Sequence, residues 1–119
     1  PGGANNGWTL TLNATTPGTG TWADGGKNYK YNGTAADGRL TVDPSTGTVT
    51  PVIGTATGIT KGSSMAFSGS NPVTLMSASA GADAVWNGYI TGVSLKQDIP
   101  AGQQAGTYTL PMTQTVAAI

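Results

Sequence analysis

The chain has no cysteine and no histidine, its acidic residues are all aspartate, and charged residues make up only 8% of its 119 positions. Each absence excludes something. Without cysteine there is no disulfide framework, no thiolate nucleophile and no thiolate metal site. Without histidine, a serine or threonine nucleophile loses its usual activating base and could turn only to lysine or aspartate. None of the serines stands in a Ser-x-x-Lys or Gly-x-Ser-x-Gly setting, the contexts that activate or expose one. The five bases (Lys27, Lys30, Arg39, Lys61, Lys96) are dispersed and balance the acids to a net charge of zero. That leaves no electrostatic footprint for nucleic acid or an anionic membrane. No apolar run is long enough for membrane insertion. The reading is therefore of a chain that is not an enzyme.

What fills the space is threonine, glycine (19 residues) and a scatter of serine and asparagine. Threonine is β-branched and can face water from a pleat without carrying charge. Glycine and proline at this density punctuate short strands with turns. Three tryptophans and four tyrosines, together with period-two apolar patterns, set the chain apart from a disordered one of similar polarity.

Trp8-Thr9-Leu10-Thr11-Leu12 alternates strictly, so Trp8, Leu10 and Leu12 share one face and Thr9 and Thr11 the other. Asn28-Tyr29-Lys30-Tyr31 sits between the turn signals Asp24-Gly25-Gly26 and Asn32-Gly33, with both tyrosines on one face. Leu40-Thr41-Val42 and Thr48-Val49-Thr50 follow, and Pro51 confines the second to an edge or a bend. Further strands are expected at 64–67, 73–76, 85–90, 91–95 and 107–116. The small-residue segment 77–83 reads as a connection with room for one helical turn. No helical periodicity lasts three turns. The expectation is one all-β domain over 1–119, an immunoglobulin-like antiparallel β-sandwich of about 7–9 short strands. Residues 1–7 would be an extended arm or a truncated strand, and the opening Pro1-Gly2-Gly3 reads as the end of a processed or excised fragment. Leu10, Leu12, Val42, Val93, Leu95, Tyr108 and Leu110 should be buried, with Thr9, Thr11 and Thr109 facing out. The strand at 107–116 should be a central or sheet-closing one, antiparallel to the one ending near Gln97.

The aspartates (Asp24, Asp37, Asp43, Asp83, Asp98) sit beside glycine or proline or in turn-like contexts, where aspartate folds the backbone. No cofactor is called for. Calcium is the ion whose oxygen ligands such loops could supply, although no loop has the spacing of a calcium motif. A Lys–Asn isopeptide link is conceivable, but the spacing selects no trio. Asn13-Ala14-Thr15 and Asn32-Gly33-Thr34 match glycosylation acceptors. Trp8, in phase with Leu10 and Leu12, reads as core. Trp86 lies on the opposite face from Val85 and Tyr89, and either face could be covered. Trp22, with Tyr29 and Tyr31 close in sequence, could form an aromatic platform for a sugar ring, against the plainer reading of core or rim packing.

Three stretches carry a family likeness: Trp8-Thr9-Leu10, the segment Ala78-Ser79-Ala80-Gly81-Ala82-Asp83 before a tryptophan-containing strand, and Ile99-Pro100-Ala101-Gly102 followed by Ala105-Gly106-Thr107-Tyr108-Thr109-Leu110. In order and spacing they resemble the WxL domain, a cell-surface β-sandwich module of Gram-positive bacteria. The family motifs fall on Trp8 and Leu10 and on Tyr108 and Leu110. At the second motif this chain departs from the family, with tyrosine where the family has tryptophan. The resemblance implies a non-catalytic extracellular module held at the cell surface by a cell-wall polymer or by other surface proteins. The same ending is similar to closing strands of secreted, pilus-type sandwiches. The alternative expectation is thus a structural subunit of a filament or pilus, self-assembled by strand addition across edges that carry little charge.

Overall fold

The computed structural model describes residues 6–119, so the arm expected over 1–7 lies mostly outside the described residues; Gly7 already belongs to the first strand. The strands are β1 (Gly7–Ala14), β2 (Thr21–Asp24), β3 (Lys27–Lys30), β4 (Arg39–Asp43), β5 (Thr48–Ile53), β6 (Ile59–Lys61), β7 (Met65–Ala66), β8 (Val73–Ser79), β9 (Asn87–Thr91), β10 (Ser94–Asp98) and β11 (Met112–Ala118). The fold is all-β and sandwich-like, with eleven short strands among the described residues where the sequence suggested about 7–9. Every strand pairing is antiparallel. A four-stranded sheet runs β11-β1-β8-β6, a three-stranded sheet runs β10-β4-β7, and β2-β3 and β5-β9 form two-stranded ribbons. The strands beyond those expected are β2 and β6, brief pairings in stretches where no strand was expected.

The core lies between the four-stranded and three-stranded sheets. Ala14, Val73 and Leu75 come from one side, Leu40 and Val42 from the other, and Tyr31 and Phe67 fill the space between. β8 shows how local geometry serves this packing. Its sequence VTLMSAS breaks period two at Leu75-Met76, yet both residues are buried. The register against β1 skips one residue there, so a bulge turns consecutive side chains to the same face. Pro51 likewise sits at a register shift of β5 against β9, one of the few sheet positions where a missing donor is tolerated.

Asp43 and Asp37 do the turn work their neighbours implied, whereas Asp98 lies in β10 and makes an ion pair across strands. Asp43 caps the 3-10 turn Pro44–Thr46 by accepting from the Ser45 amide at 3.0 Å. Asp37 accepts from the Thr34 hydroxyl at 3.0 Å. Asp98 pairs with Arg39 at 3.3 Å and lies 3.8 Å from Lys96.

Four expectations need correction. The segment at 77–83 contains no helical turn: β8 runs through Ser79 and a plain turn follows. Leu95, expected inside, is 64% exposed although it pairs with fully buried Val42. The two share a face, but β10 is the outer strand of its sheet. Thr9 and Thr11 are half-buried, as are Leu10 and Leu12, so β1 is partly covered on both faces. The last strand also differs. Residues 107–110 run beside β2, through an isolated bridge between Ala23 and Thr109, and only from Met112 does β11 form. It pairs with β1 and not with β10, and it forms the edge of the four-stranded sheet. Tyr108 and Leu110 consequently end half-buried, with Leu110 and Met112 packed against the core.

Candidate functional site

The structure gathers seven of the eight aromatic residues into three groups. Of the platform expected from Trp22, Tyr29 and Tyr31, the β2-β3 ribbon brings the first two together as a directly opposed pair with rings 6.3 Å apart. Tyr31 is not with them. β3 ends at Lys30, the alternation lapses, and the Tyr31 ring turns into the core at 0% exposure. There it meets Phe67 edge to face at 5.3 Å. Its hydroxyl donates to Asn13 Oδ1 and accepts from the Gly18 amide. Tyr31 is a core residue, not a surface one.

Tyr108 takes its place. Its ring lies 5.0 Å from that of Tyr29, and the two line a pocket of about 430 Å³ with Ile99, Gln103 and Gln104. The 99–108 loop is clasped on itself: Gln103 Nε2 donates to the Tyr108 hydroxyl at 2.8 Å, and that hydroxyl donates to the Gln104 carbonyl at 2.7 Å. Trp22 is anchored from behind, its indole N–H donating to Gln97 Oε1 at 2.8 Å.

A second clasp fixes the loop to the β2-β3 turn. Asp24 accepts from the Thr107 amide at 3.0 Å and pairs with Lys27 at 3.2 Å, while Lys27 also donates to the Ala105 carbonyl at 2.9 Å. The Lys27 hydrogen bond, followed by the Thr107 amide, holds the Asp24 carboxyl below the ordinary aspartate value. Burial, with Tyr108 beside it, raises the Tyr29 phenol. For Asp24 the depressed folded-state value means that the clasp stabilises above the unfolded-state pKa and is lost as pH falls through the folded-state pKa. Acid is therefore expected to loosen the 99–108 loop first, and Asp24→Asn to flatten the acid limb of the melting profile. An NMR titration placing Asp24 at or above the ordinary aspartate value would refute this.

The third group forms the larger concavity. Trp8 on β1 and Trp86 just before β9 bring their rings to 5.5 Å at an angle of 44°. They line an open groove of about 590 Å³ with Leu10, Met76, Val116 and Ala118, and Asp83 and Asn87 add polar groups. Trp86 is held by donating its indole N–H to the Thr55 carbonyl at 2.9 Å. Asp83 Oδ2 accepts from the Thr55 amide and hydroxyl at 2.6 and 3.0 Å. Gly88 makes the arrangement possible, since a Cβ there would lie 2.6 Å from the Trp86 ring and 2.7 Å from the Thr50 carbonyl. Val85 and Tyr89, on the other face of that segment, are 73% and 50% exposed.

The sequence singled out Trp8 as a motif residue and left Trp86 open; it did not pair them. The signal was Trp86-Asn87-Gly88, where glycine two residues after tryptophan leaves room for the ring to lie back. Among the described residues no group of three or more acidic side chains converges. No family model, no curated protein and no solved structure matches the chain.

Proposed function

We propose that the protein is a non-catalytic module of an extracellular surface that attaches to a cell-wall polymer through the Trp8–Trp86 groove. The observation that carries this reading is the groove itself: two indole rings 5.5 Å apart in a concavity of about 590 Å³, with Asp83 and Asn87 among its lining. Flat apolar faces beside a few hydrogen-bonding groups suit a sugar ring, whose faces carry C–H groups and whose edges carry hydroxyls. Trp8 and Leu10 are also among the residues on which the likeness to wall-attached modules rests. A chain without histidine, cysteine or glutamate supports a role in binding over one in bond cleavage.

The test is co-sedimentation with purified Gram-positive cell wall. The intact chain should be retained, and Trp86→Ala should lose retention by roughly tenfold or more while circular dichroism shows the sheet signal intact. Trp22→Ala is a poor probe, because that indole is packed against the core and bonded to Gln97. Tyr29→Ala reports separately on the smaller pocket. Retention that survives Trp86→Ala but fails with Tyr29→Ala would move the site there, and no retention of the intact chain would end the wall-binding reading.

A further inference from the structure

Sheet edges are normally blocked by charge, proline or brevity, and most edges of this fold follow that rule. β6 has three residues and ends in Lys61, β7 has two, and β10 carries Lys96 and Asp98. β5 is interrupted by Pro51 and its register shift. The β2-β3 ribbon bears Asp24, Lys27 and Lys30. β9 is uncharged, but it has five residues and contains Gly88. β11 is different. Its seven residues, Met-Thr-Gln-Thr-Val-Ala-Ala, contain no charge, proline or glycine, and it lies at the outside of the four-stranded sheet.

The hydrogen bonding shows which backbone groups of β11 have no partner among the described residues. Ile119 N donates to the Gly7 carbonyl at 3.1 Å, and Thr15 N donates to the Pro111 carbonyl at 2.9 Å. The β1–β11 register runs unshifted between them. In an antiparallel ladder the residues bonded to a given neighbour alternate, so the odd-numbered positions of β11 turn their amides and carbonyls to β1. Met112, Gln114, Val116 and Ala118 therefore point theirs outward. Val116, at 69% exposure, and Ile119, at 66%, leave apolar surface beside this free edge.

We propose that β11 pairs with β11 of a second copy of this chain, antiparallel and centred on Thr115. That register sets Met112 against Ala118 and Gln114 against Val116, so all four outward-facing residues fall in hydrogen-bonded pairs, each exchanging two backbone bonds. Thr113 then faces Ala117, and Thr115 faces its own copy in the non-bonded position, where threonine pairs pack well. Such a contact is isologous: it closes on itself as a twofold dimer and does not propagate. The two four-stranded sheets become one, and the twofold axis normal to it places both Trp8–Trp86 grooves on the same side. Because the pairing extends the wall-binding reading to a bivalent particle, it is tested apart from wall binding.

Sedimentation equilibrium of the full chain is expected to show a concentration-dependent dimer with no larger species. Thr115→Lys sets like charges face to face across the axis and should weaken the dimer by roughly tenfold or more. Its melting temperature should stay close to that of the parent, and its retention on wall in monomeric form should persist. Mixing Thr115→Lys with Thr115→Asp should give a heterodimer tighter than either variant's own dimer. A chain that stays monomeric up to about 1 mM, a dimer indifferent to Thr115→Lys, or a ladder of higher oligomers would each overturn the proposal without touching the groove.

Discussion

Tyr31→Ala is expected to cost about 3–5 kcal/mol of folding stability, the range for removing a large buried ring. Three losses combine. The ring is wholly buried between the two main sheets, so its removal opens a cavity that the surroundings fill only in part. The edge-to-face contact with Phe67 at 5.3 Å disappears. The Gly18 amide and Asn13 Oδ1 lose the hydroxyl between them. Tyr31→Phe isolates the last effect and should cost about 1 kcal/mol. Leu95→Ala, on a side chain 64% exposed, should stay within about 0.5 kcal/mol. Urea unfolding of the three variants checks the order. A cheap Tyr31→Ala coupled to a lost ligand would return Tyr31 to the surface platform that its position beside Tyr29 suggested.

Ending the chain at Pro111, which deletes β11, is expected to abolish cooperative unfolding at ambient temperature. The side chains alone would not predict this, since all of β11 after Met112 is exposed. The loss lies in the backbone. β1 is central to its sheet and pairs with β11 along its length from Trp8 to Ala14. At about 0.5–1.5 kcal/mol for each net hydrogen bond, losing that ladder takes several kcal/mol from a total of about 5–15. Trp8 and Leu10 also lose the cover of Ala118 and Val116, which stand directly opposite them. Circular dichroism with thermal melting is the measurement, and a synthetic peptide of residues 112–119 should restore the transition. A shortened chain that melts cooperatively near the parent temperature would show that β1 and β8 suffice.

The sequence by itself determined that this is an all-β chain and where its turns fall. Threonine alternating with Leu10 and Leu12, aspartate beside glycine or proline, and the missing helical period act over a few residues, so they are legible without tertiary information. The clearest case is Asp43 before Pro44, a cap whose partners are its immediate neighbours. The candidate site was legible only in part. Period two says which side chains share a face while a strand lasts, but not where the strand ends: Tyr29 and Tyr31 are separated because β3 stops at Lys30. Nor does it say which face is covered, so Leu95 matched Val42 in pattern and not in burial. Only the tertiary structure decided that Trp8 meets Trp86, that Tyr29 meets Tyr108, and that the final strand joins β1 and not β10. These contacts join residues far apart in the chain. Their selection depends on how whole sheets stack and on which backbone donors remain unpaired once the earlier strands have found their partners, a property of the assembled layers that no short stretch of sequence contains.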